Sequence, residues 1–595
     1  MGRHQDRSRA PYGAALGVAL VLILIASAFR DPAPFLGRDT CTSITVVSSS
    51  EKAGLLEQMT SAYADANRTV NGHCGSVDVV AKSSGDAAST LVAGWNERTE
   101  GPRPVVWSPV TSGWLQIVRQ RLADSDRPQL IPDTVGHVAS GPLVIAMPRP
   151  MAEAMGWPKQ QIGWRDLFDL SKDPDGWDRY GHPEWGAFKL GKTNPNFSTS
   201  GLNALVGEYY AVTGTSSDLT VDAIHDPHVV RFVRGVESSV VHYGDISITF
   251  LQNLRRADDA GHGLTYVSAV AIEEKSVWDY NQGNPSGDPD TLGQLPPPST
   301  PLVAVYPDEG TMVNDHPYAI LDAPWVNADQ RAIAEDFFAF VQAPEQQAAF
   351  QAAGFRDFNG TPGAPITPVN GLLPDQPARI LPAPSAPVLD EIQRSWDDVR
   401  KRARVLLVLD VSGSMSTSVG SAGATKLELA KEAALAALKE FAPDDEVGLW
   451  VFSSDLSPDA PWRELSPVTQ LGPKIGGLRE AIGSLEPQLG TGLYRTVDDA
   501  AALMADTFDP SRINGVVVLT DGKNDYADFS SVDPVLARLQ GQPPERSVRV
   551  FCIAYGDDAD TGVLQQISDA SLGAMYDASD PETIDDVFAA VLSNF

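Results

Sequence analysis

The chain has 595 residues, too many for a single core, so two to four domains are expected. Its 45 Lys and Arg against 77 Asp and Glu leave a net charge of −32, which argues against non-specific nucleic-acid binding, a function that needs positive charge against phosphate. At 43% hydrophobic residues the composition is that of ordinary globular protein, able to bury sizeable cores.

Arg3, Arg7 and Arg9 precede an uncharged run over residues 12–29, rich in Leu, Val, Ile and Ala. A run of about eighteen apolar residues just suffices to span a bilayer. The basic flank stays inside, so the rest of the chain is expected outside the cell. Read as an uncleaved anchor, the preferred reading, residues 1–30 make a single-pass protein of the cell membrane. Ala26, Ser27 and Ala28 also fit a signal-peptidase site, which would make the protein secreted. Either way the bulk is exported, and a disulfide between Cys41 and Cys74 is expected if the compartment is oxidising. Cys552 sits in an apolar run and reads as a buried thiol.

Residues 42–47 read as a strand, followed by Ser48, Ser49 and Ser50 and a helical pattern carrying Leu55, Leu56, Met59 and Tyr63. Two further units, a strand over 77–81 before Ser83 and Ser84 and a strand over 104–107 before Ser108, repeat the scheme. Strand, polar loop and helix in succession imply an α/β layer with its loops gathered at one edge. Residues 141–147 read as a strand crossing into a second lobe. There Ser198, Thr199 and Ser200 open a helix with Leu205, Tyr209 and Tyr210, after the loop Gly191, Lys192, Thr193, Asn194, Pro195. A helix over about 329–341 and the endings Pro344, Glu345, Gln346 and Gly354, Phe355, Arg356 close the unit. The Ser-rich start, the Gly-Lys-Thr-Asn-Pro loop and this ending resemble a bacterial extracellular solute-binding protein. The resemblance implies a two-lobed, type II periplasmic-binding-protein-like domain over 40–357, with a small solute held in the cleft. Ser49, Ser50, Ser84, Ser108, Ser198 and Ser200 are the candidate ligand contacts, their hydroxyls and helix amides suiting an oxyanion or a polyhydroxylated ligand. The alternative is that they cap their helices.

Gly186 to Thr193 also satisfies G-x-x-x-x-G-K-T, the phosphate-binding pattern. That loop needs a buried strand before it and a helix starting at its Lys-Thr. Residues 180–185 are no buried strand, and Pro195 follows two residues after Thr193, so nucleotide binding is not expected. Ser49 and Lys52 fit S-x-x-K without the companion motifs of that enzyme class, and no nucleophile elbow or H-E-x-x-H occurs, so no enzyme is expected.

Residues 358–388 are proline-rich with little apolar periodicity and read as an extended, semi-rigid linker. From 389 to 595, buried strands alternate with helical segments, a doubly wound α/β pattern. The run Val405, Leu406, Leu407, Val408, Leu409 ends on Asp410, with Ser412 and Ser414 following. Thr491 lies in a glycine-relaxed loop before a helix, and the run 515–520 ends on Asp521. Carboxylates and small hydroxyls on three loops make an all-oxygen cup that suits hard cations. The set resembles the metal-ion-dependent adhesion site of the von Willebrand factor type A family, which implies a mostly parallel, Rossmann-like domain. Asp410, Ser412, Ser414, Thr491 and Asp521 would then hold Mg²⁺, or Mn²⁺ or Ca²⁺, and bind a protein partner. The expected function is an exported, membrane-tethered adhesion protein; the alternative is a solute receptor for transport or sensing.

Overall fold

The computed structural model describes residues 41–595, apart from 216, 420–422, 455, 458 and 544–545. The expectation of a single-pass membrane protein is corrected: among the described residues no helix is long and apolar enough to cross a membrane. The run over 12–29 on which that expectation rested lies outside the described residues.

The first lobe is a mixed sheet in the order Thr69–Val70, His73–Ala81, Thr42–Ser48, Val106–Ser108, Pro317–Ile320, Gly136–His137. Thr42–Ser48 and His73–Ala81 run parallel from Thr42 opposite Gly75 to Ser48 opposite Ala81, and the disulfide Cys41–Cys74 joins their starting ends. The helix Ser50–Asp65 covers the sheet with Leu55, Leu56, Met59 and Tyr63, all on one helical face. The second lobe orders Leu302–Val305, Gly141–Pro148, Ala269–Glu273, Leu190–Thr193 and Val240–Gly244. The chain passes between the lobes through Ser140–Gly141 and again at 314–317.

The proline-rich stretch is not extended away from the domain. It is a strap laid over the second lobe: Ala304 N donates to Gly371 O, Thr311 N to Arg379 O and Leu381 N to Thr311 O. Its own Leu372 and Leu381 are buried. Prolines deny the strap a ladder of its own, so it borrows donors from the lobe it crosses. The helix Ala386–Arg394, which composition groups with the C-terminal domain, packs on the first lobe instead, where Arg121 pairs with Asp390 at 2.8 Å.

The C-terminal sheet runs Trp462–Gln470, Glu446–Phe452, Arg402–Asp410, Arg512–Thr520, Arg549–Tyr555, Met575–Ala578. All neighbours are parallel except the edge strand Trp462–Gln470. Arg402–Asp410 is central, buried from Val405 onward because helices cover both faces of the sheet.

Candidate metal centre and interlobe cleft

Parallel strands deliver the metal-type residues to one edge. Asp410 ends the central strand and Thr520 ends its neighbour, the register pairing Leu409 with Leu519 just before them. Asp410 is fully buried: Oδ1 accepts from Ser412 N at 2.7 Å and Oδ2 from Thr520 Oγ1 at 2.5 Å. Ser412 Oγ lies 3.0 Å from Ser414 Oγ, which donates to Asp521 Oδ1 at 2.6 Å. The Thr491 hydroxyl closes the cup from the third loop: a Cβ placed on Gly522 would meet Thr491 Oγ1 at 3.2 Å and Ser414 Oγ at 3.9 Å. All five predicted residues therefore lie together at one edge of the sheet.

Three supporting groups escaped sequence reasoning. Thr520 reads as the last residue of a strand, and only the register shows that its hydroxyl serves Asp410. Asp525 holds the Thr491 loop, accepting from Thr491 N at 2.5 Å while its own N donates to Thr491 O at 3.0 Å. The loop turns through Gly490 at φ +67°, where a side chain would also run into Ser454. Lys426 opens the helix Lys426–Ala437 and sets Nζ 3.0 Å from Asp521 Oδ2. Tyr555 anchors that helix start by donating to Lys426 O at 3.0 Å.

The electrostatics fit a divalent cation. Burial pushes the Asp410 carboxyl up to about 7, against the hydrogen bonds from Ser412 and Thr520 that favour its charged form. Among the described residues Asp410 has donors but no ion-pair partner, so a buried carboxylate stands beside three hydroxyl oxygens and a second carboxylate. Among the described residues no three His, Cys, Asp or Glu cluster as metal ligands, so the donor set is dominated by hydroxyls. Such oxygens suit Mg²⁺ and its hard relatives rather than zinc.

The first-lobe hydroxyls are mostly engaged within the protein. Ser49 Oγ accepts from Lys52 Nζ at 2.8 Å, Ser84 Oγ from Val110 N at 3.1 Å, and Ser108 Oγ donates to Pro317 O at 2.7 Å. Ser83 caps the helix Ser84–Ala93 through Asp86 N. Ser50 is half-buried at the start of its own helix. Across the cleft, Ser198 occupies the N-cap of the helix Thr199–Thr213 and Ser200 Oγ accepts from Ser247 Oγ at 3.1 Å. The lobes touch directly: Gly85 N donates to Phe197 O at 3.0 Å, and Trp114 Nε1 to Thr199 Oγ1 at 2.8 Å.

Where the chain crosses between the lobes, Lys52 of the S-x-x-K match shares a buried polar region with Glu273 and His316, a grouping that sequence spacing does not reveal. Lys52 Nζ also donates to Ser108 O at 2.8 Å and Pro109 O at 3.0 Å, and burial pulls its pKa down to about 7. His316, held at φ +36°, sets Nε2 2.7 Å from Glu273 Oε1. Glu273 Oε2, His316 Nδ1 and Asn314 Nδ2 are buried without partners. The phosphate-loop pattern is resolved structurally: Lys192 lies inside the strand Leu190–Thr193, fully buried between Glu208, 2.6 Å away, and Glu237.

The bacterial extracellular solute-binding protein family matches residues 44–356, and the von Willebrand factor type A domain matches residues 405–590. No curated protein matches the chain significantly. Among solved structures, a von Willebrand factor type A protein from Catenulispora acidiphila is 23% identical with a TM-score of 0.28, over 33% of this chain and 43% of its own. The sulfate-binding protein SubI from Mycobacterium tuberculosis H37Rv is 14% identical with a TM-score of 0.34, over 56% of this chain and 89% of its own. The periplasmic binding protein AfuA from Actinobacillus pleuropneumoniae is 12% identical with a TM-score of 0.39, over 61% of this chain and 100% of its own.

Proposed function

This chain belongs to the bacterial extracellular solute-binding protein family and carries a von Willebrand factor type A domain behind it, and on that premise we propose that it is an extracellular binding protein whose C-terminal domain grips a protein partner through a divalent cation. The observation that carries the reading is the convergence of Asp410, Ser412, Ser414, Thr491 and Asp521 from three loops at one sheet edge. A cation bound there supplies an open coordination position for a carboxylate from the partner. The chain's own residues hold the cup in shape: Thr520 orients Asp410, Asp525 fixes the Thr491 loop, and Lys426 positions Asp521. The role we propose is binding rather than catalysis, with Lys52 Nζ holding Ser49 Oγ and the Ser108 and Pro109 carbonyls together.

Titration calorimetry with Mg²⁺ and Mn²⁺ tests the site: wild type takes up about one ion, and Asp410→Ala loses it. A pull-down from intact cell surfaces then compares Mg²⁺ with chelator. A partner retained equally in chelator, or by Asp410→Ala, overturns the reading.

The unpartnered Glu273, His316 and Asn314 atoms between the lobes favour a second, compatible role, capture of a small polar solute by the N-terminal domain. A solute screen read by thermal shift, repeated with Glu273→Gln, tests it. Shifts that survive the substitution unchanged would remove these groups from the site.

A further inference from the structure

A cavity of about 980 Å³ opens between the second lobe and the C-terminal domain, at the edge of the C-terminal sheet opposite the metal-type loops. The strand Arg512–Thr520 runs from this cavity, lined by Arg512 and Asn514, to Asp521 at the other end. Its charge is the reverse of the molecule's. Lys189, Arg256, Lys401, Arg512 and Arg549 line it with a single carboxylate, Asp569, although the whole chain carries 77 acidic residues against 45 basic ones.

Three of these cations are satisfied inside the protein: Lys189 Nζ donates to Thr265 O at 2.6 Å, Arg256 pairs with Asp569 at 3.1 Å, and Arg512 with Glu446 and Asp509, each at 3.5 Å. Lys401 and Arg549 pair with no carboxylate among the described residues. Lys401 Nζ donates only to Val240 O, at 2.9 Å. Arg549 is 7% exposed, its Nη1 makes one long bond to Val241 O at 3.5 Å, and its Nε is buried with no partner. Its guanidinium sits 5.6 Å from the Tyr266 ring centroid and interacts with the Tyr266 hydroxyl, a neutral partner that brings no anion. Burial pulls both groups down, Lys401 to about 8 with the Arg549 charge adding to the effect. Arg549 is buried and Lys401 half-buried, and the carboxylate that acts on Lys401, Asp509, forms no ion pair with it; two like charges held side by side without a paired carboxylate are costly, and an anion that joins them offsets that cost. The rest of the wall mixes polar side chains such as His262, Asn514 and Gln542 with apolar ones, among them Phe188 from the second lobe and Phe508 from the C-terminal domain.

We propose that this interdomain cavity binds a small organic anion, a carboxylate, sulfate or phosphate group on an apolar body, with Lys401 and Arg549 holding the anionic group and Phe188 and Phe508 flanking the apolar part. Because its walls come from both domains, the ligand ties the second lobe to the foot of the sheet whose far edge carries Asp410 and Asp521.

The test uses the full chain and two fluorescent probes of one shape, 1-anilinonaphthalene-8-sulfonate and its uncharged relative N-phenyl-1-naphthylamine. Expected are saturable binding of the sulfonate at one site, about tenfold or more weaker in Arg549→Gln, and much weaker binding of the uncharged probe that the substitution leaves alone. Without probe, Arg549→Gln melts no lower than wild type, since it loses an uncompensated buried charge; with the sulfonate, only wild type gains. If Arg549→Gln does not fold, Lys401→Met carries the same comparison. Equal sulfonate affinity in wild type and the folded variant, equal affinity for both probes, or no saturable binding overturns the proposal.

Discussion

Lys426 is the residue that most shapes the proposed metal centre without belonging to its motif. Its ammonium neutralises the Asp521 oxygen that Ser414 leaves free, so it stands where it would repel an arriving cation. Lys426→Met should therefore melt lower in chelator, with Asp521 left uncompensated, and bind Mn²⁺ about tenfold more tightly, roughly 1.4 kcal/mol. Calorimetry and melting with and without metal check this; unchanged affinity would mean Lys426 only packs. Lys52 makes a pH prediction. Its folded pKa of about 7 lies below the unfolded value near 10.4. Between these values the unfolded chain binds the extra proton, so this group adds stability as pH rises from 7 towards 10, by up to about 1.4 kcal/mol per unit. Urea unfolding at pH 7, 8 and 9 should show a shallower rise in Lys52→Met; identical slopes would refute it.

At the scale of elements, the meeting of the helix Ser84–Ala93 with the loop before Thr199–Thr213 sets the closed arrangement of the lobes. A Cβ on Gly85 would run into Asn196 O and lie 2.7 Å from Phe197 Cα, both backbone atoms that cannot swing aside. Alanine is worth about 1 kcal/mol more than glycine in a helix interior, yet Gly85→Ala should destabilise by about 1–3 kcal/mol through overpacking. It should also lengthen the interlobe distance seen by small-angle scattering. A stabilised, equally compact variant would mean the lobes do not close there. This contact marks where sequence reading stops. The strands ending on Asp410 and Asp521 and the amphipathic face of Leu55, Met59 and Tyr63 are local patterns, and they were legible. So was the helix start at Ser83 and Ser84, because a cap is a local event. What faces Gly85 is a loop more than a hundred residues away, and no periodicity encodes it. Composition also misled over 358–388: a run of prolines disfavours regular structure, but it does not exclude burial of Leu372 and Leu381.

At the scale of the molecule, the question is whether the two domains behave as one cooperative body. The segment between them is packed rather than loose. Trp396, 4% exposed, meets the second-lobe Tyr243 ring edge-on at 5.0 Å and lies beneath the Arg400 guanidinium. Arg400 in turn pairs with buried Asp445 and donates to Phe595 O at 3.2 Å, while Tyr243 receives Lys401 N on its hydroxyl and donates its own N to Asn594 O. One side chain therefore touches the second lobe and the group that ties down both the start and the end of the C-terminal domain. A continuous buried core runs through it, joining Leu389 and Val399 to Tyr243 and Phe595. With an interface this apolar, calorimetry of wild type should give a single transition. Trp396→Ala opens a large cavity worth about 3–5 kcal/mol, spent at the junction rather than inside either sheet. It should split the melt into two transitions, the lower one shifted most, while each domain keeps its secondary structure by circular dichroism. A variant that still melts in one step, merely lower, would place the cooperativity elsewhere and leave the junction as a passive spacer.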